Sequence, residues 1–164
     1  MVVNFHTVNL TKKHPLQISR GVHDKSQNLF IEIVKDGITA WGESAPGKTE
    51  GAKSAQEVKA HLTRLINSDI NDLSIHEVCQ RSKELKIPAC ALAGIDIALW
   101  DLKAKKAKLP LKDLLGLPKP KVPTSITVGI NPPEIVKERV EMIISNPQVR
   151  ALKVKLGSPE GIEY

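Results

Sequence analysis

The chain has 164 residues, with 24 lysines and arginines against 18 aspartates and glutamates, a net charge of +6 with histidine neutral. Its 41% hydrophobic and 26% charged content is an ordinary globular balance, well clear of the disordered class. No window approaches the roughly 20 unbroken apolar residues of a membrane span, and Met1 to Leu10 lacks the basic-then-apolar order of a secretory leader. Cys79 and Cys90 show no CxxC spacing and suit a reducing compartment. A cytoplasmic protein without a membrane partner is expected.

The predicted elements begin with a strand over residues 2–10. A β-rich run, Leu29 to Val34, leads through the turn signal Lys35-Asp36-Gly37 into a returning run, Ile38 to Glu43. These three segments predict an antiparallel meander. The intervening residues 11–26, polar with Pro15 and Gly21, are expected to form a long loop.

Helices follow. Ser54-x-x-Glu57 and Ser74-x-x-Glu77 are two capping-box patterns, the first followed by Val58, Leu62 and Leu65 at helical spacing. Pro88 opens a more apolar helix. Leu92, Ile95, Leu99 and Leu102 form one stripe and Cys90, Ala93, Ile97 and Trp100 a second, which predicts burial on most sides. The lysines at 103, 105, 106, 108, 112, 119 and 121 have no interleaved aromatics, so they read as a solvated helix end and loop, with no nucleic-acid partner. Gly116, Pro118, Pro120 and Pro123 then mark a domain boundary, giving domains 1–118 and 119–164.

Beyond the boundary the pattern becomes strand, helix, strand. Ser125 to Ile130 is β-rich, Asn131-Pro132-Pro133-Glu134 is a helix start with Asn131 as N-cap, and Ala151 to Leu156 is a second strand. Such a unit implies a parallel sheet or barrel. A further helix start, Gly157-Ser158-Pro159-Glu160, is followed by only four residues. The chain is therefore expected to be the front part of a larger fold, since a complete eight-fold barrel takes roughly 250 residues.

Within the last strand, the period of two puts Leu152, Val154 and Leu156 on one face and Lys153 and Lys155 on the other. Two lysines side by side on a buried face repel, which is how a lysine becomes a general base near neutral pH. The alternative from spacing alone is an edge strand with its lysines in water. His6, His14, His23, His61 and His76 stand singly, so no metal ligands are expected within the chain. Trp41 and Trp100 are expected to pack rather than to bind a ligand.

Residues 91–105, Ala-Leu-Ala-Gly-Ile-Asp-Ile-Ala-Leu-Trp-Asp-Leu-Lys-Ala-Lys, with Leu109-Pro110-Leu111 and Leu114-Leu115-Gly116, resemble a signature of the enolase superfamily, in its mandelate racemase and muconate-lactonizing branch. Trp41-Gly42-Glu43-Ser44 resembles the segment that ends that family's meander, and Lys153-Val154-Lys155 its Lys-x-Lys motif on the second barrel strand. The resemblance implies an α+β capping domain followed by the first βαβ of a truncated (β/α) barrel. It also implies an isomerase that uses Mg²⁺ to abstract the proton alpha to a carboxylate. Thr127-Val128-Gly129-Ile130-Asn131 and Ile18-Ser19-Arg20-Gly21 are most similar to the dipeptide epimerases that act on acidic dipeptides such as L-Ala-L-Glu.

By that resemblance Lys155 is the base and Lys153 touches the substrate carboxylate. Thr127 and Arg20 are substrate contacts, and Glu43 has only a hydrogen-bonding role. The family's Mg²⁺ ligands fall on strands beyond this chain, so these residues alone are expected to be inactive, and a homo-oligomer is expected at full length. The alternatives left open are a cycloisomerase, an o-succinylbenzoate synthase-like enzyme, or a non-catalytic or oligomerising product.

Overall fold

The Asp36-Gly37 turn is formed as its sequence dictates. Both residues have positive φ, 53° and 74°, the conformation a two-residue hairpin loop needs to match strand twist. In the computed structural model, which describes residues 1–157 apart from Arg20 and Lys48, this turn joins β2 (Gly21–Lys35) to β3 (Ile38–Ser44). The pairing is antiparallel, from Leu29 opposite Ser44 to Lys35 opposite Ile38. With β1 (Val2–Ile18) the sheet order is β1-β2-β3. The helix start expected at residues 157–160 falls almost wholly outside the described residues.

The long loop expected at residues 11–26 is not a loop. β1 and β2 extend into it, to Ile18 and from Gly21. Pro15 does not end β1, which lies at a sheet edge, the place in a sheet where proline is tolerated.

By Cα packing the chain divides into two units: Met1–Leu10 with Ser26–Pro118, and Thr11–Lys25 with Lys119–Tyr164. The first unit holds the main core. Leu29, Ile31 and Ile33, alternate residues of β2, are fully buried, each contributing about 1.5–3 kcal/mol by its burial. They pack with Ala40 of β3 and with three helices, α1 (Ala55–Ile66), α2 (Ile75–Glu84) and α3 (Ala89–Lys106). In α1 the Ser54 hydroxyl accepts the Glu57 N–H at 3.2 Å, but the Glu57 carboxylate takes the Lys53 N–H, one residue before the expected partner. In α2 both halves of the capping box are present.

The second stripe expected on α3 is not buried. Ala93 and Ile97 are exposed, and the core face is instead the small-residue set Ala91, Gly94 and Ala98 together with Ile95. The reason is close approach to β3: a Cβ on Gly42 would sit 2.0 Å from the Gly94 carbonyl oxygen. Large side chains cannot occupy that seam, so they turn outward. Trp41 is likewise more exposed than packing implies, lying beside His6 with ring centroids 5.4 Å apart. A single helical turn, α4 (Leu111–Leu114), was not foreseen.

In the second unit β4 (Ser125–Val128) and β5 (Ala151–Val154) pair in parallel, joined by α5 (Pro133–Ile144). This is the expected strand, helix, strand unit, with both strands ending two residues early. Asn131 is not the N-cap. Pro132 occupies that position, and the Asn131 side chain donates to the Gly129 carbonyl at 3.0 Å. Among the described residues no helix is long and apolar enough to cross a membrane.

Candidate functional site

The pairing of β4 with β5 brings the sequence-predicted residues of the second unit together. Thr127 is the direct cross-strand partner of Lys153, in a ladder whose strands lie about 4.8 Å apart. The Lys155 N–H continues that ladder one step beyond β5, donating to the Val128 carbonyl at 2.9 Å. The extended backbone thus carries through Lys155, and the period of two gives Lys153 and Lys155 the same face as Thr127.

That face is open rather than a buried interior. Thr127 and Lys153 are exposed and Lys155 is half-buried, whereas Val128, on the other face of β4, is 1% exposed. That other face is covered only in part, since Ile126 and Val154 are 39% and 48% exposed. A threonine hydroxyl and two ammonium groups side by side are hydrogen-bond donors matched to a carboxylate, and charge-assisted bonds of this kind are the stronger class.

The end of β4 is tied down by a contact that sequence reasoning missed. The Ile130 N–H donates to the Gln17 carbonyl of β1 at 2.9 Å. Gly129 is required there, because a Cβ would meet the Gln17 carbonyl oxygen at 2.9 Å. A glycine at the very end of a β-rich run was the available signal for such a close backbone approach. Beside this contact lies a cavity of about 160 Å³, lined by His14 and Leu16 of β1, Ile126 and Thr127 of β4, and Arg139 and Met142 of α5. Part of the hairpin formed by β1 and β2 is therefore fixed against the strand that carries Thr127. Arg20 lies outside the described residues.

Glu43 has the hydrogen-bonding role expected of it. Its carboxylate accepts the Asn28 side-chain N–H at 2.6 Å, while the Asn28 amide oxygen is buried without a partner among the described residues. Among the described residues no three histidine, cysteine, aspartate or glutamate side chains converge as metal ligands. The described residues by themselves therefore do not form a Mg²⁺ site.

Residues 2–116 match the family model for the mandelate racemase / muconate lactonizing enzyme N-terminal domain. Over 163 residues the chain is 52% identical to a hydrophobic dipeptide epimerase of Flavobacteria bacterium (strain MS024-2A) and 50% identical to one of Roseobacter litoralis. Each alignment covers 99% of this chain and 47% of the relative, so the chain spans about half the length of the curated relatives it matches. A dipeptide epimerase from Enterococcus faecalis V583, solved with Mg and the dipeptide L-Leu-L-Tyr, superposes with a TM-score of 0.85 at 26% identity, over 95% of this chain and 45% of that one. The capping-domain meander, its helices and the parallel βαβ that follows are those of this group, and the chain belongs to the mandelate racemase / muconate lactonizing enzyme family.

Proposed function

We propose that this chain supplies the capping domain, residues 1–118, and the first barrel strands, residues 119–164, of an epimerase that inverts a dipeptide at the carbon next to its carboxylate. The observation that carries the reading is the register of Thr127 opposite Lys153, with Lys155 following on the same face. In this reading Thr127 and Lys153 hold the substrate carboxylate. The Lys155 side-chain nitrogen, as the free amine, takes the alpha proton and becomes the ammonium while the C–H electron pair moves toward that carboxylate. A proton returned to the opposite face completes the inversion, from a group outside this chain. Mg²⁺, when bound by residues beyond Tyr164, supplies fixed positive charge against the carboxylate.

The relatives at 52% and 50% identity are hydrophobic dipeptide epimerases, which supports a hydrophobic dipeptide as the substrate. A second reading, an acidic dipeptide such as L-Ala-L-Glu, is favoured by Arg20 and by the surrounding basic residues Lys12, Lys13 and Lys25. The test is made in the longer polypeptide that continues this sequence. Exchange of the substrate alpha proton in deuterated water is followed by NMR across a panel of apolar and acidic dipeptides. Lys155→Ala is expected to lower exchange by about 10²- to 10⁴-fold, the usual contribution of a general base. Undiminished exchange in a folded variant overturns the assignment. A product of altered mass, rather than an inverted stereocentre, would mark a dehydration or cycloisomerisation instead.

A further inference from the structure

A cavity of about 260 Å³ opens between the Lys35-Asp36 turn, the segment leading into α2 and the C-terminal half of α3. All of its walls belong to the first unit. Its floor is apolar. Ile70 is 2% exposed, and Leu73, Leu99 and Leu102 are half-buried and pack against the main core. The shape of the cavity is therefore set by the same packing that holds the helices to the sheet.

The rim is basic. Lys35, Lys103 and Lys106 line it with a single carboxylate, Asp36. That carboxylate is already engaged: the Lys106 ammonium donates to it at 3.0 Å, and this bond holds the Asp36 carboxyl below its usual range. The Lys35 ammonium donates to the Asn71 carbonyl at 2.7 Å. Lys103 lies 5.0 Å from the centre of the Trp100 ring and has no carboxylate partner among the described residues. Each ammonium carries three N–H donors, so Lys35 and Lys106 are held in place with donors left over.

We propose that this cavity binds an amphipathic monocarboxylate of the fatty-acid class, its apolar body against Ile70, Leu73, Leu99 and Leu102 and its carboxylate at the lysine rim. The ligand class follows from complementarity of charge and polarity: an apolar floor under a net positive rim matches a molecule with an apolar body and one anionic end. A neutral apolar molecule leaves the lysine donors unused, and a polyanion such as a nucleic acid leaves the floor unused. The volume lies just below the roughly 300–1,000 Å³ of common small-molecule pockets, which favours the shorter members of the class. The inference is independent of the catalytic reading.

The experiment is isothermal titration calorimetry of octanoate into the longer polypeptide that continues this sequence. Saturable binding is expected. Butyrate, with the same head and four fewer methylenes to bury, is expected to bind on the order of a hundredfold more weakly, and 1-octanol, which lacks the charge, about tenfold or more weakly. Lys103→Glu, at an exposed position that leaves the core untouched, is expected to weaken octanoate binding by about tenfold or more. Lys59→Glu, the same charge change on the exposed side of α1 outside the cavity, is expected to leave it unchanged. Lys155→Ala separates this cavity from the candidate site and is also expected to leave it unchanged. The absence of saturable octanoate binding overturns the proposal. So does equal binding of 1-octanol, an unaltered affinity in Lys103→Glu, or a loss of binding in Lys155→Ala, which places the acid beside Thr127 and Lys153 instead.

Discussion

A methyl group at position 42 has no space to occupy. Its Cβ would lie 2.0 Å from the Gly94 carbonyl oxygen and 2.8 Å from the Ala98 nitrogen, both backbone atoms of α3 that cannot rotate away. At position 94 the nearest obstacle is the Ile31 Cδ1 at 2.6 Å, the end of a side chain that can change rotamer. Gly42→Ala is therefore expected to cost the upper end of the overpacking range, about 3 kcal/mol or more, and Gly94→Ala about 1–2 kcal/mol. Urea denaturation followed by circular dichroism checks the order; equal losses would show that the helix shifts as a body. Neither glycine announced its reason in the sequence, because the neighbour that excludes a side chain is some fifty residues distant. Lys153 and Lys155 are the opposite case. Their shared face follows from strand periodicity alone, and only the partner across from them, Thr127, required the fold.

At the scale of the element, local signals were the most legible. The capping box of α2 is complete: the Ser74 N–H donates to the Glu77 carboxylate at 2.7 Å, and the Glu77 N–H donates to the Ser74 hydroxyl at 3.3 Å. Hydrogen bonds from the Ser74 side chain and backbone hold the Glu77 carboxyl below its usual range. A group with a lowered folded pKa contributes stability above its unfolded pKa, and that contribution is lost as pH falls through the folded value. Stability is thus expected to decline on acidification, and Glu77→Gln, which keeps a side-chain acceptor without the charge, is expected to flatten that decline. Thermal melts between neutral and acidic pH measure it; an unchanged slope in the variant would place the titration elsewhere, with Glu32 and Asp36 the next candidates because hydrogen bonds also lower their pKa. Two elements were misread, and for one reason. Pro15 signals a loop where the hairpin in fact extends, and Ala93 and Ile97 have the spacing of a buried stripe yet are exposed, because residue type reports preference while sheet position and helix–strand distance decide burial.

Across the whole molecule, stability is unevenly distributed. Every residue of the main buried cluster, from Leu29 of β2 to Ala98 of α3, belongs to the first unit. In the second unit Val128 is the only fully buried large apolar side chain among the described residues, while Ile126, Met142, Val154 and Leu156 are exposed. Native-state hydrogen exchange is expected to give the highest protection in β2, β3 and α3, and markedly lower protection in β4, α5 and β5, since local opening follows the density of buried apolar contacts. Equal protection in the two units would require the second to be covered by association. The sequence by itself determined the order of the elements, the Asp36-Gly37 turn, the α2 cap and the lysine pair, because each rests on interactions within a few residues of the chain. Only the tertiary structure decided that β1 and β2 run on as a hairpin whose Gln17 meets Ile130, that Thr127 stands opposite Lys153, and that Asp101 and Lys105 of α3 bond the backbone of β3. These depend on backbones distant in sequence approaching within hydrogen-bond range, and no local preference encodes such an approach.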